Sequence, residues 1–202
     1  IDLPETERVG GLAFHVEPSA SRPSGTMFHF DNIMFSAKEA VVVGPVVGPT
    51  ALAAAPTLPA ADVVSFINSS NTYTDVGVSD WNPNWSQAGS QAVETIAGGD
   101  IVKLQLQNYQ GVDFGSTIDF GTKSTLHLSV WVENDNPGFD VYVITGGAES
   151  GHPTGAITGG TWVDVEVDLS STDQFANGGF QFKWVLSPEV MTTFYIDNIY
   201  FH

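Results

Sequence analysis

The sequence contains no cysteine among its 202 residues. This absence excludes disulfide bonds, cysteine nucleophiles, and the zinc and iron–sulfur sites that need thiolate ligands. A protein outside the cell that lacks disulfides must be held together by its hydrophobic core, alone or with a bound metal. The chain therefore needs a well-packed core.

Basic residues are also scarce: six Lys and Arg stand against 23 Asp and Glu, which gives a net charge of −17. Proteins that bind nucleic acid or anionic membrane surfaces need clusters of Lys and Arg, so this charge balance argues against both. No run of about 20 apolar residues occurs, which argues against membrane insertion. An acidic surface suits Ca²⁺ and high salt, although it more often serves only solubility.

What the chain does contain is the composition and pattern of β-strands. In residues 125–133 apolar side chains alternate strictly with His127, Ser129, Trp131 and Glu133. The same period of two recurs in residues 101–107, 139–144, 162–169 and 180–184, between turns rich in Gly and Pro. Short alternating strands separated by turns predict an all-β fold, an antiparallel jelly-roll β-sandwich without a substantial helix.

The sequence of one predicted strand occurs twice in the chain, with small differences. Residues 28–35 read FHFDNIMF and residues 194–201 read FYIDNIYF, so that Asp31 precedes its match, Asp197, by 166 positions. Residues 1–3 match residues 167–169 at the same offset. This pattern predicts a tandem repeat whose first copy is incomplete. We expect residues 1–36 to be the C-terminal remnant of that copy, residues 37–56 an Ala/Val/Pro-rich linker, and residues 57–202 a complete domain within a longer protein.

The repeated strand also departs from strict alternation of apolar and polar side chains. Phe194 and Ile196 share one face, and Ile199 and Phe201 share one face, but three positions separate the two pairs. One extra residue at Asp197 is typical of a β-bulge.

Three segments resemble a known group of proteins. They are residues 55–85, residues 95–104 (TIAGGDIVKL) and the closing strand of residues 194–201. Together they resemble the accessory β-sandwich domains of secreted glycoside hydrolases from marine Bacteroidetes, and the closing strand resembles that of galactose-binding-like carbohydrate-binding modules. The resemblance implies a secreted or cell-surface jelly roll that is not an enzyme and binds glycans on a concave sheet face or at loop tips. It further implies a structural Ca²⁺ at Asp197, with Asn71 and Asp75 as the candidate partners.

Sugar rings stack on aromatic faces, and polar planar side chains bond their hydroxyls. The candidate stacking residues are Trp131 and Tyr142 on strands, with Trp81 and Trp85 in a loop. Packing under a loop is the alternative for Trp131, Trp81 and Trp85. The candidate polar and charged partners on the strands are Gln105, Gln107, Glu133, Gln181, Lys103, His127 and Lys183.

The sequence shows no nucleophile elbow, zinc-protease helix motif or phosphate-binding loop, which argues against an enzyme. We therefore expect a non-catalytic carbohydrate-binding module whose partners are a polysaccharide and neighbouring β-sandwich repeats. The alternative is a structural repeat of an extracellular filament, adhesin or virion fibre, because fold alone does not separate the two.

Overall fold

The computed structural model describes residues 48–87, 89–106, 108–145, 148–171, 181–186 and 191–202. These residues form ten β-strands and one short 3₁₀ turn at Ala60–Asp62. None of the described residues belongs to a helix of the length and apolarity needed to cross a membrane. The strands are β1 (Val64–Ile67), β2 (Gly89–Ile96), β3 (Gly99–Leu106), β4 (Tyr109–Asp113), β5 (Thr125–Val132), β6 (Asp140–Thr145), β7 (Ala148–Pro153), β8 (Trp162–Asp168), β9 (Gln181–Val185) and β10 (Thr192–Phe201).

The strands pair into two antiparallel sheets. The larger sheet has the order β2-β3-β10-β5-β8, with β1 also paired to β10, and the smaller sheet has the order β4-β9-β6-β7. Strands that follow one another in sequence repeatedly cross between the sheets, as they do in a jelly roll. The prediction of an all-β antiparallel sandwich is confirmed.

The core lies between the sheets and consists of the apolar side chains that the period of two places on one face of each strand. In β5 these are Leu126, Leu128 and Val130, all fully buried, and β9 contributes Phe182 and Trp184 from the opposite sheet. Each such large side chain stabilises the fold by about 1.5–3 kcal/mol through removal of apolar surface from water.

A polar link crosses the core between the two sheets. The indole Nε1 of Trp184 in β9 donates to the amide oxygen of Gln91 in β2 at 2.7 Å, and the Gln91 amide donates to the Trp81 carbonyl at 2.6 Å. Gln91 is only 3% exposed, so these bonds replace the water that its amide would otherwise need.

The bulge in the closing strand is confirmed. The pairing of β10 with β5 shifts register between Asp197 and Tyr200, and Asn198 takes a left-handed backbone with φ of 49°. Asparagine tolerates this conformation better than most residues. The shift lets Phe194, Ile196, Ile199 and Phe201 all reach the core.

The predicted first repeat, residues 1–36, and the start of the predicted linker lie outside the described residues, so the tandem repeat stays a prediction. The described end of that linker, residues 48–56, lies on the outer face of the larger sheet. The Trp162 indole donates to the Ala51 carbonyl at 2.8 Å, and the Asn198 amide donates to the Ala54 carbonyl at 2.9 Å. These bonds attach the segment to β8 and β10.

Candidate functional site

The candidate site residues divide between two opposite faces of the sandwich. Lys103, Gln105, His127 and Trp131 lie on β3 and β5, so they belong to the outer face of the larger sheet. Tyr142, Gln181 and Lys183 lie on β6 and β9, on the outer face of the smaller sheet. The candidate residues on strands therefore lie on two surfaces, because similar alternation does not reveal which sheet a strand joins.

Trp131, a candidate stacking residue, is buried on the outer face of the larger sheet. Its side chain is only 6% exposed and packs with Ile101 and Tyr195, and Leu52 of the segment 48–56 packs against the same cluster. Packing under a loop, the alternative interpretation of this tryptophan, agrees with the position of Leu52 against its cluster. A ring in this position offers no free face to a sugar.

His127 is likewise buried on the larger sheet. Its ring stacks on that of Tyr200 at 4.4 Å, and its Nδ1 lies 2.7 Å from Oε1 of Glu166. The hydroxyl of Ser129 is 3.5 Å from His127 Nε2 but donates to Asp164 at 2.7 Å. Because Ser129 is only 1% exposed, this group of side chains does not offer the accessible nucleophile that a hydrolase needs.

The outer face of the smaller sheet carries a different set of groups, which we call the tyrosine–lysine face: Trp85, Tyr109, Tyr142, Glu149 and Lys183. The Lys183 ammonium lies 4.9 Å from the ring centroid of Tyr109 and 4.8 Å from that of Tyr142. Glu149 of the edge strand β7 accepts a short salt-bridging hydrogen bond from the same ammonium. The two tyrosine rings are half-buried and flank one cation, which holds them in defined positions.

Two glycines make room for aromatic rings on this face. Gly111, Lys183, Tyr142 and Gly151 form one row across the four strands of the smaller sheet. A Cβ at position 111 would lie 2.1 Å from Cη2 of Trp85, and a Cβ at position 151 would lie 2.6 Å from the hydroxyl oxygen of Tyr142. The rings thus lie close against the backbone, which is a recognised use of glycine within a strand.

Polar side chains surround these rings. Gln181 donates to a carboxylate oxygen of Asp113 at 3.3 Å in the row on one side, and Asp140 lies in the row on the other side. The face thus combines aromatic surface, carboxylates, an amide and one ammonium within four strands, a width of about 14 Å. Aromatic rings beside hydrogen-bonding groups can stack on a sugar ring and bond its hydroxyls.

Sequence reasoning missed Tyr109, Asp113, Asp140 and Glu149. Strand β4 is only five residues long and contains a central glycine, so its alternation is too short to stand out. The available signal was the glycine itself: Gly111 in β4 and Gly151 in β7 each mark a close approach of another group to a strand.

The remaining candidates lie in separate places. Trp85 belongs to the tyrosine–lysine face, whereas Trp81 is half-buried against the core, and Glu133 is exposed just beyond the end of β5. Gln105 accepts a hydrogen bond from Ser90 at 2.9 Å, and Lys103 pairs with Glu94 at 3.3 Å. Gln107 lies outside the described residues.

Asp197 is fully buried at the bulge, and its carboxylate is occupied by donors from the protein. Oδ1 accepts from the backbone N–H of Ser69 at 2.9 Å and of Asn198 at 2.7 Å, and Oδ2 accepts a short bond from the Ser69 hydroxyl. Asp75 instead accepts from Ser65 and Asn68 through its own Oδ1. Within the described ranges no three His, Asp or Glu side chains come together as a metal site. Calcium binding stays a prediction.

Two of the three comparisons with known proteins found no counterpart: no family model matches the chain, and no curated protein matches its sequence. Solved structures of family 29 carbohydrate-binding modules are similar at low level. One variant of CBM29-2 has 12% identity and a TM-score of 0.47 over 69% of this chain and 91% of its own. Variants of CBM29-2 complexed with mannohexaose and with cellulohexaose have the same identity, with TM-scores of 0.47 and 0.46 over 69% of this chain and 89% of their own.

Proposed function

We propose that this chain is a non-catalytic carbohydrate-binding module and that it binds a polysaccharide on the tyrosine–lysine face. The observation that carries the proposal is the placement of half-buried Tyr109 and Tyr142 on either side of Lys183, with Trp85 on the neighbouring glycine. Preformed aromatic platforms with polar neighbours are suited to sugars, because the rings lose little conformational entropy on binding.

The charges on this face favour a neutral glycan. Lys183 is its one cation among the described strand positions, and it is already paired with Glu149, while Asp113 and Asp140 add two further carboxylates. The net charge of −17 adds long-range repulsion of polyanions. Carboxylates accept hydrogen bonds strongly from hydroxyl groups, so the same charges suit a neutral sugar. A secreted or cell-surface location belongs to the same proposal, because polysaccharides of this kind occur there.

Affinity electrophoresis against neutral and acidic polysaccharides tests the proposal, with binding constants on the order of micromolar to millimolar expected. Tyr142→Ala should weaken binding about fivefold, since one exposed stacking contact contributes about 1 kcal/mol. Tyr142→Phe should retain most of the binding because it keeps the ring.

The chain also provides a matched lysine control. Lys183→Ala should weaken binding, whereas Lys103→Ala, on the larger sheet and paired with Glu94, should leave it unchanged. Equal effects of the two lysine variants would contradict the proposed location. Absence of retardation by every glycan, together with self-association of the protein, would favour the alternative of a structural repeat.

A further inference from the structure

A pocket lies at one end of the larger sheet, away from the tyrosine–lysine face. Its volume is about 310 Å³, and it lies between the loop that follows β1 and the turn that joins β2 to β3. This volume is at the lower end of the range for small-molecule sites. The pocket therefore fits one small unit rather than a long polymer.

The walls of this pocket, which we call the loop pocket, are built by local geometry. Ala97 and Gly98 both take positive φ values of 50° and 88°, as a tight two-residue hairpin turn requires. Gly99 then lies so close to the 68–75 loop that a Cβ there would be 2.7 Å from Cβ of Ser69. The hairpin tip is thus packed on the loop, and the pocket is held in shape.

Three polar groups at the rim of the loop pocket have unused hydrogen-bonding capacity. Asp75 and Asp100 each use Oδ1 in a bond within the protein, to Ser65 and Asn68 for Asp75 and to Thr95 for Asp100. Their Oδ2 atoms, and the side-chain amide of Asn71, have no partner among the described residues. All three residues are exposed.

The apolar part of the lining comes from Val78, Trp81 and Val93, together with the buried residues Phe66 and Ile67. Val93 is 39% exposed and Trp81 is half-buried, so both retain apolar surface that a ligand can reach. Among the described residues no Lys or Arg lines the pocket, so these residues offer no cationic side chain to an anion. The ligand must bring hydrogen-bond donors for two carboxylates together with an apolar surface. A pyranose ring has both, since its hydroxyls lie at the edge and its C–H groups on a face.

We propose that the loop pocket binds the terminal sugar unit of a glycan end-on. Asp75 and Asp100 accept hydrogen bonds from its hydroxyls, Asn71 both donates and accepts, and the C–H face of the sugar packs on Trp81 and Val93. The proposal rests on the proposed carbohydrate-binding function and adds a site with a different ligand: one chain end, rather than the interior of a chain on the tyrosine–lysine face.

Two-dimensional NMR titration of the whole chain with methyl glycosides of glucose, galactose, mannose and xylose tests the proposal. Backbone signals around Asn71 and Gly98 should shift with at least one of these sugars, with millimolar affinity. Asp100→Asn keeps the oxygen that bonds Thr95 but loses the charge, and should weaken this binding by about threefold or more. Asn71→Gly removes the amide without strain, because glycine readily adopts the φ of 55° found there.

Two controls separate this site from the other one. Asp62→Asn changes an exposed carboxylate outside the pocket and should have no effect, and Tyr142→Ala should leave methyl glycoside binding intact. Shifts confined to the tyrosine–lysine face, or no shifts at all with retardation by polysaccharides preserved, would overturn the loop-pocket proposal while leaving the proposed function standing. Glucosamine is titrated in parallel, and shifts with glucosamine but with none of the four methyl glycosides would also overturn the proposal, since they would report attraction of an ammonium group by carboxylates.

Discussion

Replacing Asp197 with alanine should destabilise the sandwich strongly. The carboxylate of this fully buried residue receives the backbone N–H groups of Ser69 and Asn198 and the Ser69 hydroxyl. A buried donor that loses its acceptor costs about 1–3 kcal/mol. Two orphaned N–H groups therefore predict a loss of about 4 kcal/mol in the free energy of unfolding, while the hydroxyl can rotate to another partner.

Urea denaturation followed by tryptophan fluorescence measures this loss. With a slope of about 2 kcal/mol per molar urea, the midpoint should fall by about 2 M. Asp197→Asn retains an acceptor for the two N–H groups and should lose about half as much. Asp62→Ala, an exposed carboxylate, should change the free energy of unfolding by no more than about 0.5 kcal/mol. A loss below about 1 kcal/mol for Asp197→Ala would refute the reasoning, because the donors would then have found other partners at no cost.

The same variants test the predicted calcium site. An ion that binds only the folded protein raises Tm by mass action. If calcium binds at Asp197, Tm should be higher in millimolar CaCl₂ than in EDTA, and the difference should vanish in Asp197→Asn. An unchanged Tm of the wild-type protein would contradict calcium binding at Asp197, whose carboxylate would then serve only its hydrogen bonds within the protein.

Three further outcomes are expected. Leu52→Ala should lower Tm by about 3–6 °C, because the side chain packs on the cluster around Trp131 and its truncation costs about 1.5 kcal/mol. Burial, and then the nearby charges of Glu166, Tyr73 and Asp164, raise the pKa of Tyr200 above its usual value of 10.0. The contribution of this raised pKa to the free energy of unfolding is therefore full below pH 10 and is lost as the pH rises above it. The Tm of the wild-type protein should thus fall more between pH 9 and 11 than the Tm of Tyr200→Phe. Parallel curves of Tm against pH for the two proteins would contradict this. Gly151→Val should push the Tyr142 ring aside and weaken polysaccharide binding in affinity electrophoresis, with glycan affinity unchanged as the contradicting result.

The sequence by itself determined the faces of most strands. In β5 the alternation correctly placed Leu126 and Leu128 in the core, and the three-residue step between Ile196 and Ile199 correctly predicted the bulge. These features are local: successive side chains in a strand point to opposite sides, and an extra residue reverses the pattern within a few positions. No partner strand needs to be known to read them.

Only the tertiary structure decided which outward faces are available to a ligand. His127 and Lys183 occupy equivalent positions in their strands' patterns, yet β5 and β9 belong to opposite sheets. The part of the larger sheet's outer face around Trp131 is covered by residues 48–56, attached by a bond between Ala51 and Trp162, which lie 111 positions apart. Sheet membership and coverage depend on contacts between segments distant in sequence, whose alternation is alike, so the period of two could not distinguish the covered face from the open one.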